Sequence, residues 1–201
     1  MAAISQLAED VSVDGILLQH PVPPPIGERA AFEAIGQDKD VDGVTMKSFA
    51  RMSFGLPGFV SCTPGGIMRL LKEYDVSLTG KNVVVVGRSP ILGKPMAALM
   101  LAQDATVTVC HSKTTNLRQH LRGADVIVAA VERPRFVYGD DLKEGVVVID
   151  AGYNPGNMGD VDYPSVAAKA SLITPVPGGV GPMTIAVLVE QTVRSAMRLV
   201  G

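Results

Sequence analysis

The sequence predicts an α/β protein: a parallel sheet with helices on both faces, preceded by a smaller and incomplete α/β lobe. Three observations carry this. From Lys81 onward, short apolar runs alternate with helix-compatible stretches across short joints, the pattern of a doubly wound parallel sheet. Those runs are apolar at successive rather than alternate positions, as strands buried on both faces are. The first 80 residues differ in texture, with one such run among loops rich in proline and charge.

Taken in order, the first zone opens with a helix-compatible stretch, Ala2 to Glu9, and then the apolar run "DGILLQHP", whose "GILLQ" reads as a strand buried on both faces. A proline-rich loop (Pro21 to Pro25), a short helix near Ala30 to Ile35 and the loop "QDKDVDG" follow. The next helix is opened by "CTPGG": Thr63 is the expected N-cap, Pro64 sits where proline is tolerated, and Ile67, Leu70, Leu71 and Tyr74 share a face. The single strand poses a problem, because a lone strand leaves its backbone groups unsatisfied and stable sheets need about three strands or more. Either a partner chain completes it or N-terminal sequence is missing, and the second reading is favoured on strand number.

In the second zone, "KNVVVVG" (Lys81 to Gly87) is the first strand, with a helix expected from Ile91 to Gln103. The strand "ATVTVC", the helical "NLRQHLRG" and the strand "ADVIVAAV" come next. A turn-rich piece around Asp140 and Asp141, the strand "GVVVID" and the segment "ASLIT" lead to a Gly/Pro-rich loop. A last helix follows, in which Ile185, Leu188, Val189, Val193 and Met197 recur at helical spacing and are expected to form its buried face.

Composition narrows the function. Hydrophobic residues make up 47% of the 201 positions, enough for a sizeable core. A net charge of −2 without a block of like charge argues against nucleic acid or an anionic membrane as partner. The longest apolar runs are strand-length, too short to span a bilayer, and no secretory signal pattern opens the chain. Cys62 and Cys110 lie in unrelated contexts, so a reducing, cytoplasmic setting is expected. His111 and His120 lack metal-ligand company, and no metal is expected.

The chemistry concentrates after the first strand of the second zone. "GRSPILGKP" places Gly87 and Gly93 on either side of a turn into a helix. Such glycines let a backbone approach a pyrophosphate, and helix N-terminal amides favour its charge. This departs from G-x-G-x-x-G but fits a Rossmann-type dinucleotide domain. Where an NAD site carries an acid at the end of the next strand, this chain has "CHSKT", with Ser112 and Lys113. Together with Arg88 they suit a 2′-phosphate, so NADP is the expected cofactor. Taken alone, Arg88 and Lys113 also read as solvated surface charges.

Five segments in order, "DGILLQHPVP", "DKDVDG", "CTPGGIMRLL", "GRSPILGKP" and "TPVPGGVGPMT", resemble the methylenetetrahydrofolate dehydrogenase/methenyltetrahydrofolate cyclohydrolase family. The resemblance covers nearly the whole chain. It implies two α/β lobes, NADP-linked oxidation of methylenetetrahydrofolate, hydrolysis of the methenyl product to the formyl form, tetrahydrofolate derivatives as substrates, and a homodimer formed through the Rossmann domain. It divides the chain into residues 1–80 as a remnant folate and catalytic lobe and 81–182 as the NADP domain, with the terminal helix 183–199 returning to the first lobe.

Carried over by motif, Gly87, Arg88 and Ser89 fall on the family's cofactor turn, Ser112 on its 2′-phosphate contact and Tyr153 on a residue lining the dinucleotide. Gln19 and Asp42 are the expected catalytic residues, Gln19 in the hydrogen-bond network and Asp42 holding the pterin amino group. Leu18, Gln19, His20 and Asp42, with Pro177, Gly178, Gly179, Gly181 and Pro182 of the closing loop, are the expected folate contacts. A carboxylate suits the donor-rich edge of a pterin, and an amide can both donate and accept. In isolation Asp42 reads as a turn residue and Gln19 as a strand-end amide; the five-segment match reverses this. The family's catalytic lysine and its tyrosine precede the "LLQ" segment, whereas the first lysine here is Lys39 and the first tyrosine Tyr74. Cyclohydrolase activity is therefore doubtful, and a non-catalytic NADP-binding module is the alternative. Glu132 stands where glycine is usual and is expected to crowd or repel the cofactor if it points inward; Tyr153 replaces an aliphatic and His20 a leucine. Cys62 is expected as a small buried residue.

Overall fold

The computed structural model describes residues 1–198. The chain divides into two compact units, Met1–Cys62 together with Ile185 onward, and Thr63–Thr184. Residues 63–80, grouped with the first zone by texture, contribute Ile67, Leu71 and Leu78 to the core of the second unit. Position 199 of the expected terminal helix lies outside the described residues.

The first unit is helical. It contains α1 (Ala2–Glu9), α2 (Glu28–Glu33) and α3 (Met46–Ser53). The second of these lies slightly earlier than the sequence suggested, and α3 was not anticipated. Its start is set by Thr45, whose hydroxyl accepts from Ser48 N at 3.2 Å, an N-cap. The buried Asp40 accepts from Val44 N (3.0 Å) and Thr45 N (2.9 Å) and so fixes the turn entering α3.

The run Gly15–Gln19 is not a strand, a correction to the expected element. Among the described residues of this unit no strand forms, so ladder pairing is not available to it. The segment is tied by Ile16 N donating to Lys39 O at 2.8 Å. Only Ile16 is buried, while Leu17 and Gln19 are exposed; burial on both faces is likewise corrected.

The second unit is built on a five-stranded parallel sheet: β1 (Asn82–Val86), β2 (Thr106–Cys110), β3 (Val126–Ala129), β4 (Val147–Asp150) and β5 (Leu172–Ile173), in the order β2-β1-β3-β4-β5. Its helices are α4 (Cys62–Glu73), α5 (Gly93–Leu101), α6 (Leu117–Gly123) and the unanticipated α7 (Tyr163–Ala167). The pleat explains the valine run of β1. Val84 and Val86 join one core with Leu121 of α6 and Val166 of α7, while Val83 and Val85 join the other with Ile67 of α4 and Met96 of α5. Each such side chain, fully buried, contributes about 1.5–3 kcal/mol.

Two details of α4 differ from expectation. It begins at Cys62, so Thr63 and Pro64 lie inside its first turn rather than at its cap. Thr63 Oγ1 instead accepts from the Thr184 hydroxyl at 3.1 Å. Ile67 and Leu71 are buried but Tyr74, at the helix end, is 62% exposed and does not share their environment.

The last helix, α8 (Val180–Ala196), shows the opposite face to the one read from its sequence. Ile185, Val189, Val193 and the following Met197 are exposed, whereas Val187 and Gln191 are buried. The cause is specific. Gln191 Nε2 donates to Val41 O (2.8 Å) and Val60 O (2.9 Å), and its Oε1 accepts from Val60 N (2.8 Å), so a polar residue turns the helix inward.

Candidate functional site

The strand order reverses between β1 and β3, and in open parallel sheets ligands bind at the carboxyl ends of strands at such a point. Gly87 lies there. Its φ is +130°, and a Cβ added to it would come within 2.1 Å of Ala130 O at the end of β3. A Cβ on Gly93 would meet Gly87 O at 2.3 Å. Both glycines are buried, and both are required by this close backbone approach at the switch point. Ser89 does something the sequence did not suggest. Its Oγ accepts from Leu92 N (3.1 Å) and Gly93 N (3.3 Å), and its carbonyl accepts from Lys94 N (3.0 Å). The first-turn amides of α5 are thus engaged by Ser89, and its hydroxyl proton remains to donate to an anion. Arg88 is exposed.

The neighbouring strand supplies the second feature. Cys110 pairs with Val86 in register, so the segments leaving β1 and β2 start side by side. His111–Thr114 forms a tight turn: Thr114 N donates to His111 O (2.8 Å), His111 N to Thr114 Oγ1 (2.8 Å) and Lys113 N to His111 Nδ1 (3.1 Å). Ser112 and Lys113 project at its exposed tip, with no acid among the residues of the turn. Burial pushes the Cys110 thiol up, which keeps it protonated beneath the turn.

At the ends of β3 and β4 the sequence reading missed two buried carboxylates, Asp150 and Asp160. Burial, with Asp160 beside it, holds the Asp150 carboxyl above the usual range, while bonds from three backbone amides oppose the shift. Glu132 is exposed and has a left-handed φ of +52°, a conformation that favours glycine. Tyr153 is exposed, its hydroxyl donating to Asn157 Oδ1 at 2.7 Å. In the loop before α8, Pro177 and Gly178 are exposed and Gly178 has φ +98°. A Cβ on Gly179 would lie 2.5 Å from Pro175 O, so this loop doubles back closely on itself. Gly181 and Pro182 fall in the exposed first turn of α8.

In the first unit, Asp42 is placed by Gly43, whose φ is +67° and whose missing Cβ would lie 2.4 Å from Val60 O. Cys62 N donates to Asp42 O at 3.2 Å, and the Cys62 thiol donates to Val41 O at 3.4 Å. Burial holds the Asp42 carboxyl above the usual carboxylate range, while Cys62 and His20 oppose the shift. Burial and the adjacent Asp42 push the Cys62 thiol far up, so it is not a nucleophile. His20 meets the Phe32 ring edge-on at 5.9 Å between centroids. Gln19 is exposed and donates to His20 O at 3.2 Å; Leu18 is half-buried. The structure thus gathers His20, Asp42 and Cys62, and leaves the Gln19 amide turned to its own backbone. Lys39 Nζ is committed to Leu7 O (3.0 Å) and Asp10 O (2.6 Å). Among the described residues no group of three His, Cys, Asp or Glu could hold a metal ion, and no helix is long and apolar enough to cross a membrane.

A doubly wound parallel sheet with a glycine turn at its switch point, followed by an acid-free turn bearing serine and lysine, defines a nicotinamide-dinucleotide-binding protein of Rossmann type. The comparisons agree. The family model of the tetrahydrofolate dehydrogenase/cyclohydrolase NAD(P)-binding domain matches residues 61–200, and that of the catalytic domain matches residues 1–42. The chain belongs to the tetrahydrofolate dehydrogenase/cyclohydrolase family. It is 69% identical over 199 residues to the bifunctional protein FolD 1 of Streptomyces avermitilis, covering 99% of this chain and 69% of that one. The crystal structure of the bifunctional FolD enzyme of Campylobacter jejuni superposes with a TM-score of 0.95 at 47% identity, over 99% of this chain and 72% of that one. The Trypanosoma brucei enzyme, solved with NADP cofactor and an inhibitor, does so with a TM-score of 0.93 at 35% identity, over 98% and 71%.

Proposed function

We propose that the protein is an NADP-dependent methylenetetrahydrofolate dehydrogenase, with the second unit as its cofactor lobe and the first as part of its folate lobe. The observation that carries this reading is the glycine turn at the β1/β3 switch point, where Gly87 and Gly93 let the end of β1, the end of β3 and the start of α5 come into close backbone contact. NADP, when bound, supplies the hydride acceptor. Arg88 and the Ser112–Lys113 turn receive the 2′-phosphate as cation and hydroxyl donors. Gly87 brings its backbone against the pyrophosphate, and Ser89 donates its hydroxyl proton to it. Tyr153 lines the dinucleotide.

For the folate, Asp42 accepts from the pterin amino edge, with Leu18, Gln19 and His20 beside it. Hydride transfer from the folate methylene carbon depends chiefly on how the two rings are held, so it asks little acid–base chemistry of the protein. Hydrolysis of the cationic methenyl product asks more, since a proton must leave the attacking water. Gln19 tunes that step without being its base, and Lys39 is occupied by two backbone carbonyls. Oxidation is therefore expected to exceed hydrolysis in this 201-residue chain.

A non-catalytic NADP-binding module is the second reading, favoured by the exposure of Gln19 and its bond to His20 O. The experiment that separates them follows NADP reduction by methylenetetrahydrofolate and, in parallel, disappearance of methenyltetrahydrofolate. Folate-dependent reduction with slow hydrolysis supports the first reading. NADP binding with neither reduction nor a folate-induced thermal shift supports the second, and rapid hydrolysis refutes the expected weakness of that step. The buried free thiols Cys62 and Cys110 support a cytoplasmic setting. Pairing into a homodimer through the second unit is tested by sedimentation of the purified chain.

A further inference from the structure

Three successive amides in the loop leaving β3 converge on one side chain far along the chain. Val131 N (2.6 Å) and Glu132 N (3.0 Å) donate to Asp160 Oδ2, and Arg133 N (2.8 Å) donates to Asp160 Oδ1. Asn154 Nδ2, from the segment leaving β4, adds a fourth bond at 3.0 Å to Oδ1. Successive amides pointing to one centre form a nest, the backbone form that otherwise cradles an anion. Here the anion is built in, and the left-handed φ of Glu132 is the conformation that turns the amides together.

Asp160 is itself held by Asp150. The Asp150 carboxylate, at the end of β4, accepts from Asp160 N (2.9 Å), Val161 N (3.1 Å) and Gly152 N (3.0 Å). The fit allows no side chain at the two glycines beside the pair. A Cβ on Gly152 would fall 2.2 Å from Asp160 Cγ, and one on Gly159 would fall 1.8 Å from Asp150 Oδ2. A rigid strand end thus fixes Asp160, and Asp160 fixes the loop that flanks the switch point opposite Gly87.

We propose that Asp160 is a positioning residue for the cofactor: it shapes the Val131–Arg133 loop into the wall that meets the nicotinamide half of NADP. This rests on the dinucleotide reading proposed above. The assignment to that half follows from strand order. With the 2′-phosphate at the turn after β2 and the pyrophosphate at Gly87 after β1, the remainder of the molecule extends toward β3 and β4.

A carboxylate is needed because two oxygens each accept two bonds; an amide offers one acceptor oxygen and turns its NH2 toward two donors whichever way it is flipped. The test is calorimetric titration of the full chain and of Asp160→Asn with NADP and with adenosine 2′,5′-bisphosphate, which lacks the nicotinamide half. The expected result is NADP binding weakened about tenfold or more in the variant, with the fragment within about twofold of wild type. Equal loss of both ligands marks a merely structural role and overturns the inference, as does unchanged NADP affinity. Should the variant not fold, amide exchange in the wild type decides. Slow exchange at Val131, Glu132 and Arg133 that NADP slows further and adenosine 2′,5′-bisphosphate does not supports the inference, whereas open-loop rates, or no difference between the two ligands, overturn it. Wild-type protein that binds neither ligand overturns the dinucleotide reading, and this role for Asp160 with it, whereas the exchange measurement still reports on the loop.

Discussion

Replacing Gly87 with alanine asks the switch-point turn to accept one methyl group. The new Cβ would lie 2.1 Å from Ala130 O, 3.0 Å from its carbonyl carbon and 3.4 Å from its side chain, where real Cβ contacts stay beyond 3.0 Å. The carbonyl is backbone and belongs to the register of the sheet, because Ala130 N donates to Val86 O at 2.8 Å. It cannot swing away as a side chain could, so the ends of β1 and β3 must part by roughly an ångström in a close-packed interior, at about 1–3 kcal/mol. The φ of +130° adds a backbone penalty of about 1–3 kcal/mol. Near 4 kcal/mol in total, the melting temperature of the Thr63–Thr184 unit should fall by roughly 10–15 °C, and NADP affinity should fall with it. Gly123→Ala is the control: it ends α6, and an added Cβ meets nothing within 4 Å. There a gain of about 0.5–1 kcal/mol is expected. Thermal denaturation followed by circular dichroism reads both variants. A Gly87→Ala protein that melts within about 2 °C of wild type and binds NADP normally would refute the reasoning.

Asp42→Asn removes a carboxyl that burial holds above its usual range. A raised carboxyl contributes stability that is complete below its unfolded value and lost as pH rises through the folded value, so the variant should gain on wild type in melting temperature as pH rises above about 4; a difference that stays constant as pH rises contradicts this. Glu132→Gly relieves a left-handed φ of +52° and should raise the melting temperature by a few degrees, for about 1 kcal/mol; a lowered one would show that the Glu132 side chain stabilises the loop. Gln191→Leu removes the partners of Val60 N and Val60 O and leaves Val41 O only the weak Cys62 thiol donor, at a cost of about 2–4 kcal/mol in urea unfolding. Retention of wild-type stability would mean that these groups find other partners.

How much the sequence disclosed follows from the range of the forces involved. The strands of the second unit were legible because burial on both faces leaves a continuous apolar run, and Val83–Val86 indeed alternate between two cores. The tight turn after β1 was legible because Gly87 and Gly93 answer a local steric demand. The face of α8 was misread because hydropathy alone cannot show that Gln191 finds Val41 and Val60 some 130 or more positions away. For the same reason Asp160 looked like any loop acid; its meaning lies in amides 27 to 29 positions earlier. The run "GILLQ" reads as a strand by composition, but pairing decides a strand and the described residues of its unit offer none. The short helices α3 and α7 bury only a few residues each, too few to print a periodicity.

The central claim is that the turn after β1 and the acid-free turn after β2 together select NADP. Calorimetric titration of the wild-type chain and of the Arg88→Ala/Ser112→Ala double variant, each with NADP and with NAD, tests it most directly. The expected result is NADP bound at least about tenfold more tightly than NAD by the wild type, the scale of one or two charge-assisted hydrogen bonds, with the preference lost in the variant and NAD affinity little changed. Equal affinity for the two dinucleotides in the wild type, or a preference that survives both substitutions, would contradict it.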